Sequence, residues 1–246
     1  MRKYLLLFSV FVLSSYSYAI GDKVRIGLMV SPGAGWQSPE GKSLKSGGGA
    51  FAANYGLLVE YYFKDKNYAF CTGIVGGLDG GKIKDRPQFT IGTIKSSIME
   101  TYTTQYIGIP VYLKLKTNPY HDFRFFGQVG FTAVFNVYGR ATFSEKIYAA
   151  GADSLRLTTA PDIEVTKENI LKSDNEVTKA IPKFGYNIFD FRLNVGAGFE
   201  YDINDKTAIF FSINYNNGFV NTVKDEDAKK DNIYQRNFLF NIGVLF

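Results

Sequence analysis

Residues 188–202 read Ile-Phe-Asp-Phe-Arg-Leu-Asn-Val-Gly-Ala-Gly-Phe-Glu-Tyr-Asp. Taken alternately, Phe189, Phe191, Leu193, Val195, Ala197, Phe199 and Tyr201 share one face, and Asp190, Arg192, Asn194, Gly196, Gly198, Glu200 and Asp202 share the other. Successive side chains in a strand point oppositely, so a period of two describes one strand with an apolar and a polar side. At ~3.3 Å per residue it would be roughly 50 Å long, against about five or six residues for an ordinary strand. Alternation alone does not say which side is wet. The charges share their face with glycines, which relieve crowding in a narrow interior but would leave gaps on an exterior. The apolar set is therefore expected to face lipid and the polar set a lumen. The rival is a soluble ligand-binding barrel with its apolar side chains inside.

The pattern recurs. Tyr106 to Lys116 places Ile107, Ile109, Val111, Leu113 and Leu115 outward and Tyr106, Gly108, Pro110, Tyr112, Lys114 and Lys116 inward. Phe123 to Phe135 sets Phe123, Phe125, Val129, Phe131 and Phe135 against Arg124, Gln128, Gly130 and Thr132. Weaker alternation covers Lys23 to Ser31, Asn54 to Phe63, Tyr68 to Val75, Thr207 to Tyr215 and Gln235 to Phe246. The sequence thus predicts an all-β fold, an eight-stranded antiparallel up-and-down transmembrane β-barrel. Its connections alternate between tight turns (Lys64 to Asn67, Thr117 to Asp122, Asn204 to Lys206) and long loops over 31–49, 78–97, 142–186 and 216–234. Short periplasmic turns, long external loops and periplasmic N- and C-termini are the order such a barrel follows. The long 142–186 loop is the expected place for any contact with a ligand or a protein partner.

The N-terminus supports export. Arg2 and Lys3 precede an apolar run from Leu5 to Leu13 and then Ser17-Tyr18-Ala19, a signal peptide expected over residues 1–19, with the barrel domain over 20–246. The run is too short for a membrane helix, which needs ~20 apolar residues. Composition agrees: 22 Phe and 17 Tyr coexist with a slightly negative mean hydropathy of -0.09, because only every second strand residue would meet lipid. Lys and Arg number 28 against 23 Asp and Glu, and removing Arg2 and Lys3 brings the balance closer still. No basic tract points to nucleic acid.

Ile107-Gly108-Ile109-Pro110-Val111-Tyr112-Leu113-Lys114 after Tyr106, and Phe191-Arg192-Leu193-Asn194-Val195-Gly196-Ala197-Gly198-Phe199-Glu200-Tyr201, carry a family resemblance. Over nearly all of the exported chain the sequence resembles the PorT-like outer-membrane β-barrel family of Gram-negative bacteria. The resemblance implies the fold and the outer membrane, and, for some relatives, participation in protein secretion. Phe246, ending an alternating strand with Phe238, Phe240, Ile242 and Val244, resembles the signal read by the barrel-assembly machinery. That machinery and outer-membrane lipid are the expected partners, together with a protein met through the external loops.

No catalytic, metal or cofactor site is expected. His121, the one histidine, falls in a tight turn, away from the outer side where substrate would arrive. Cys71, the one cysteine, is phased inward as a small filler. The Gly47-Gly48-Gly49, Gly76-Gly77 and Gly80-Gly81 runs lack the Lys-Ser/Thr pair of a phosphate loop and read as loop bases. Asp225, Glu226, Asp227 and Asp231 are offset by Lys224, Lys229 and Lys230. Five inward charges near the periplasmic end, Arg25, Glu60, Lys114, Arg124 and Glu200, are expected to form an ion-pair layer, with Asp190 and Arg192 higher in the lumen. A turn centred near Pro119 would set Lys114 beside Arg124, a like-charge pair that carboxylates must offset. The expected role is non-enzymatic, structural or interactive through the external loops. The alternative is a narrow porin or solute channel.

Overall fold

The computed structural model describes residues 23–41, 44–85, 90–91, 94–149, 163–171, 184–204, 206–225 and 232–246. The export segment expected over 1–19 and the acidic residues at 226, 227 and 231 lie outside these. Eight long strands form the wall: β1 (Val24–Glu40), β2 (Leu44–Tyr62), β3 (Tyr68–Asp85), β4 (Ile94–Lys116), β5 (Phe123–Ala149), β6 (Phe189–Asp202), β7 (Ala208–Gly218) and β8 (Asn232–Leu245). Each pairs antiparallel with its sequence neighbours, and β1 with β8 closes the cylinder. The seam is finished by reciprocal hydrogen bonds between Ile26 and Phe246, N–H to C=O at 3.1 and 2.8 Å. Closure leaves the wall without a bare edge, the condition for a sheet to stand in hydrocarbon.

The alternating residues take the two sides of this wall. Ile107, Ile109, Val111, Leu113, Phe189, Phe191, Val195, Phe199 and Tyr201 are exposed on the outside and Leu193 is half-buried there, whereas Asp190, Arg192, Asn194, Glu200 and Lys114 are buried within. A soluble barrel would invert this arrangement. Gly196 shows why glycine suits the inner side: a Cβ there would lie 1.9 Å from Asn214 Oδ1 on β7.

At the turn end, Asp65 Oδ1 accepts the Asn67 N–H, and Asn204 Oδ1 accepts those of Lys206 and Thr207, as short polar side chains do in tight turns. The β4–β5 turn departs from expectation. Lys114 pairs with Gln128, not Arg124, because the turn closes through Tyr120 and Phe123 with His121 in the left-handed region at φ 55. Its centre moves toward His121, and two cations are kept apart.

The opposite end differs more. Segments 31–40, 44–49, 78–85 and 94–97, expected as loop, are strand, and so are all three glycine runs. β4 has 23 residues and β5 has 27, where a tilted strand crosses a bilayer in about 9 to 11. The wall therefore continues well past an apolar band. Bulges redirect it, at Val137 opposite the Gln105/Tyr106 step and between Gly48 and Ala53. Beyond Phe135 the partner of β5 changes: β6 covers it up to that residue, and Ile163–Glu168 pairs with Arg140 to Glu145. Phe184–Tyr186 and Val223–Asp225 form a separate two-stranded patch.

Candidate functional site

The side chains on the inner wall stack in levels. Nearest the turns, Arg25 and Arg124 both reach Asp202, at 3.7 and 2.9 Å, although their facing backbone partners are Glu60 and Glu200. Those two glutamates are engaged one level up. Lys114 Nζ lies 2.5 Å from Glu60 and 2.5 Å from Glu200, and Lys116 Nζ lies 2.9 and 2.8 Å from the same pair. The four form a closed ring of alternating sign between β2, β4 and β6. Tyr62 donates its hydroxyl to Glu60 at 2.8 Å and accepts from Lys116 at 2.5 Å. Lys114 also sits 4.0 Å from the Phe126 ring centre, so its ammonium meets either a carboxylate or a π face. Two cations and two anions cancel, which removes the cost of a net buried charge.

The expected ion-pair layer is thus divided. Glu60, Lys114 and Glu200 meet; Arg25 and Arg124 belong to a separate, more exposed group. Lys116, inward in phase and two residues nearer the turn than Lys114, joins this ring as well, a contact that strand phase alone does not signal.

Farther up, Arg192 bonds Asp190 through Nε at 2.6 Å and Asp79 through its terminal nitrogen. Its guanidinium lies 5.0 Å from the Tyr106 ring centre. Asp79 was missed because its surroundings, Gly76-Gly77 and Gly80-Gly81, resemble a loop. A ladder of amides feeds this level: Asn194 donates to Asn216 (2.7 Å), Asn216 to Asn237 (2.6 Å) and Asn237 to Asp79 (2.9 Å). Between the two charged levels lies a cavity of about 40 Å³, lined by Tyr112, Thr132, Asn214 and Asn241 among others, space for a water or two.

The loop end is capped. Gln37 donates to Gln235 (2.5 Å) and to the Tyr186 hydroxyl (3.2 Å), and Thr222 donates to Gln37 (3.2 Å). Above them Ile83, Tyr102, Ala141, Ile170, Tyr186 and Ile233 form an apolar cluster across the mouth. Among the described residues, ion pairs, amides and this cluster occupy the lumen in turn.

Other candidates fall away from any constellation. His121 is exposed in its turn, with its ring edge-on to Tyr120 at 4.6 Å. Cys71 is buried with Tyr62, Ala69 and Tyr112. Among the described residues no group of three His, Cys, Asp or Glu is placed to hold a metal ion.

A family model described as outer membrane protein beta-barrel domain matches residues 17–224. Comparison with curated proteins gives no match. Among solved structures, the chain is similar to Neisserial surface protein A, at 10% identity over 90% of this chain and 97% of that one, with a TM-score of 0.39. It is similar to OprG of Pseudomonas aeruginosa at 11% identity, over 91% and 96%, TM-score 0.44. It is also similar to the outer membrane protease OmpT of Escherichia coli at 10% identity, over 92% and 97%, TM-score 0.34.

Proposed function

The chain belongs to the outer membrane protein β-barrel domain family, and on that premise we propose a non-enzymatic barrel that carries a strand-built platform clear of the membrane for contact with a partner protein. The lumen supports this reading. A conduit needs a continuous wet path, and here the ring of Glu60, Lys114, Lys116 and Glu200 spans the interior with every ion paired to two others. An eight-stranded interior is narrow enough for side chains to fill. In the proposed orientation the termini and tight turns are periplasmic and the extended β3–β5 end is external. Kinship with the PorT-like barrels, and with it an accessory role in protein secretion, rests on the Tyr106 to Lys114 and Phe191 to Tyr201 motifs.

Planar bilayer recording of the purified protein tests the lumen. Electrical silence is expected, and reproducible unitary conductance would favour the narrow porin instead. Protease shaving of intact cells tests orientation: cleavage is expected within 142–186 and not at Lys64 to Asn67, and the reverse pattern would invert the barrel.

A further inference from the structure

The outer surface of the extension carries an unbalanced positive patch. β2 and β3 pair Lys45 directly with Lys84, and Lys82 follows two residues along on the same face. Ile83, between the two β3 lysines, points inward to the apolar cap, which fixes both lysines outward. Lys45 and Lys84 are exposed and Lys82 is half-buried. Like charges directly opposite on paired strands are unfavourable, and among the described residues none of the three has an ion pair. The next strand offers no acid on that face: Lys84 faces Met99 and Lys82 faces Thr101 on β4, and Thr101 faces Thr142 on β5. Elsewhere on the extension, among the described residues, Arg140 is matched by Glu168 at 2.7 Å and Arg236 by Glu40 at 3.9 Å.

Position gives the patch a partner. Below it, Phe51 and Tyr55 on β2 and Ile74 on β3 are exposed and apolar, as is Ile107 on the adjacent β4, and the outer surface turns polar at Gln105 on β4. Lys82 lies four residues past Leu78, roughly 10 Å higher for a tilted strand at ~3.3 Å per residue. That is the depth of a lipid headgroup whose chains would lie on the apolar strands beneath. We propose that Lys45, Lys82 and Lys84 form a binding surface for the phosphate groups of a membrane glycolipid in the leaflet at the loop end, with Thr101 opposite Lys82 beside it. The ammoniums supply point-charge contacts to phosphate, and the bound anion removes their mutual repulsion. The loop-end leaflet is the outer one only in the orientation proposed above.

The test uses the full exported chain refolded in phosphatidylcholine vesicles with and without diphosphorylated lipid A in both leaflets, so that binding is read whatever the orientation. Heat-modifiable gel migration gives the unfolding temperature. Lipid A is expected to raise it for the parent chain. The rise should vanish in Lys45→Ala/Lys82→Ala/Lys84→Ala, return in the triple arginine variant, and persist in Lys64→Ala/Lys66→Ala at the turn end. An undiminished rise in the triple alanine variant overturns the proposal, as does an equal rise with dephosphorylated lipid A. Equal protection by inorganic phosphate in plain vesicles overturns the lipid as the source. A loss of lipid response with electrical silence retained would leave the closed-lumen reading intact.

Discussion

The two charged levels of the lumen solve one problem in different ways. In the lower ring each carboxylate touches two ammoniums and each ammonium two carboxylates, so the charge is balanced and every ion has a second partner. In the upper level a single guanidinium, Arg192, serves both Asp79 and Asp190, and the amide of Asn237 adds a second donor to Asp79 alone. The first arrangement is redundant, and the second has one point of failure. Where a network is redundant, loss of one ion leaves a charge partly compensated; where it is not, the whole desolvation cost returns.

The sharpest way to break this comparison is Arg192→Met, which strands two buried carboxylates and should destabilise by about 3 to 5 kcal/mol. Reversible urea unfolding in lipid vesicles, followed by the fluorescence of Trp36 packed on Phe238, would measure it. Lys116→Met should cost less, about 2 kcal/mol, since Lys114 still touches both glutamates. Equal costs at 116 and 192 would abolish the distinction between the levels. Combining Lys116→Met with Glu60→Gln restores neutrality, and the pair should cost less than the sum of the singles by about 1 to 3 kcal/mol. Asn237→Ala, which removes one amide from Asp79, should cost about 1 to 2 kcal/mol. Arg124→Ala at the more exposed rim should fall at about 0 to 1 kcal/mol in the same assay.

Strand phase was legible in the sequence because lipid and lumen impose opposite chemistry on adjacent residues; Phe191 beside Arg192 is enough to orient that part of the wall. Past the membrane that contrast disappears. Pro32, Pro39 and Gly47 to Gly49 then read as loop, yet they lie in β1 and β2, stabilised by neighbouring ladders that no local pattern announces. Register was legible only where the turn was ordinary. The positive φ of His121 moved Lys114 to Gln128, a shift that composition does not signal. The inward phase of Glu60, Lys114 and Glu200 could be read, but which inward charges meet depends on strand tilt and side-chain reach. That dependence separates Arg25 and Arg124 from Glu60 and Glu200, brings in Lys116, and joins Asp79 to Arg192 from a strand half the chain away.

The seam between β1 and β8 sets a problem of timing. Gly27 must find Leu245, a contact across nearly the entire chain, and pairings of such sequence separation form slowly. Until they do, the part-built wall presents two long unsatisfied borders, Val24–Glu40 and Asn232–Leu245, each a template for joining another chain. Its vulnerable moment is therefore kinetic, and it ends when the first and last strands meet.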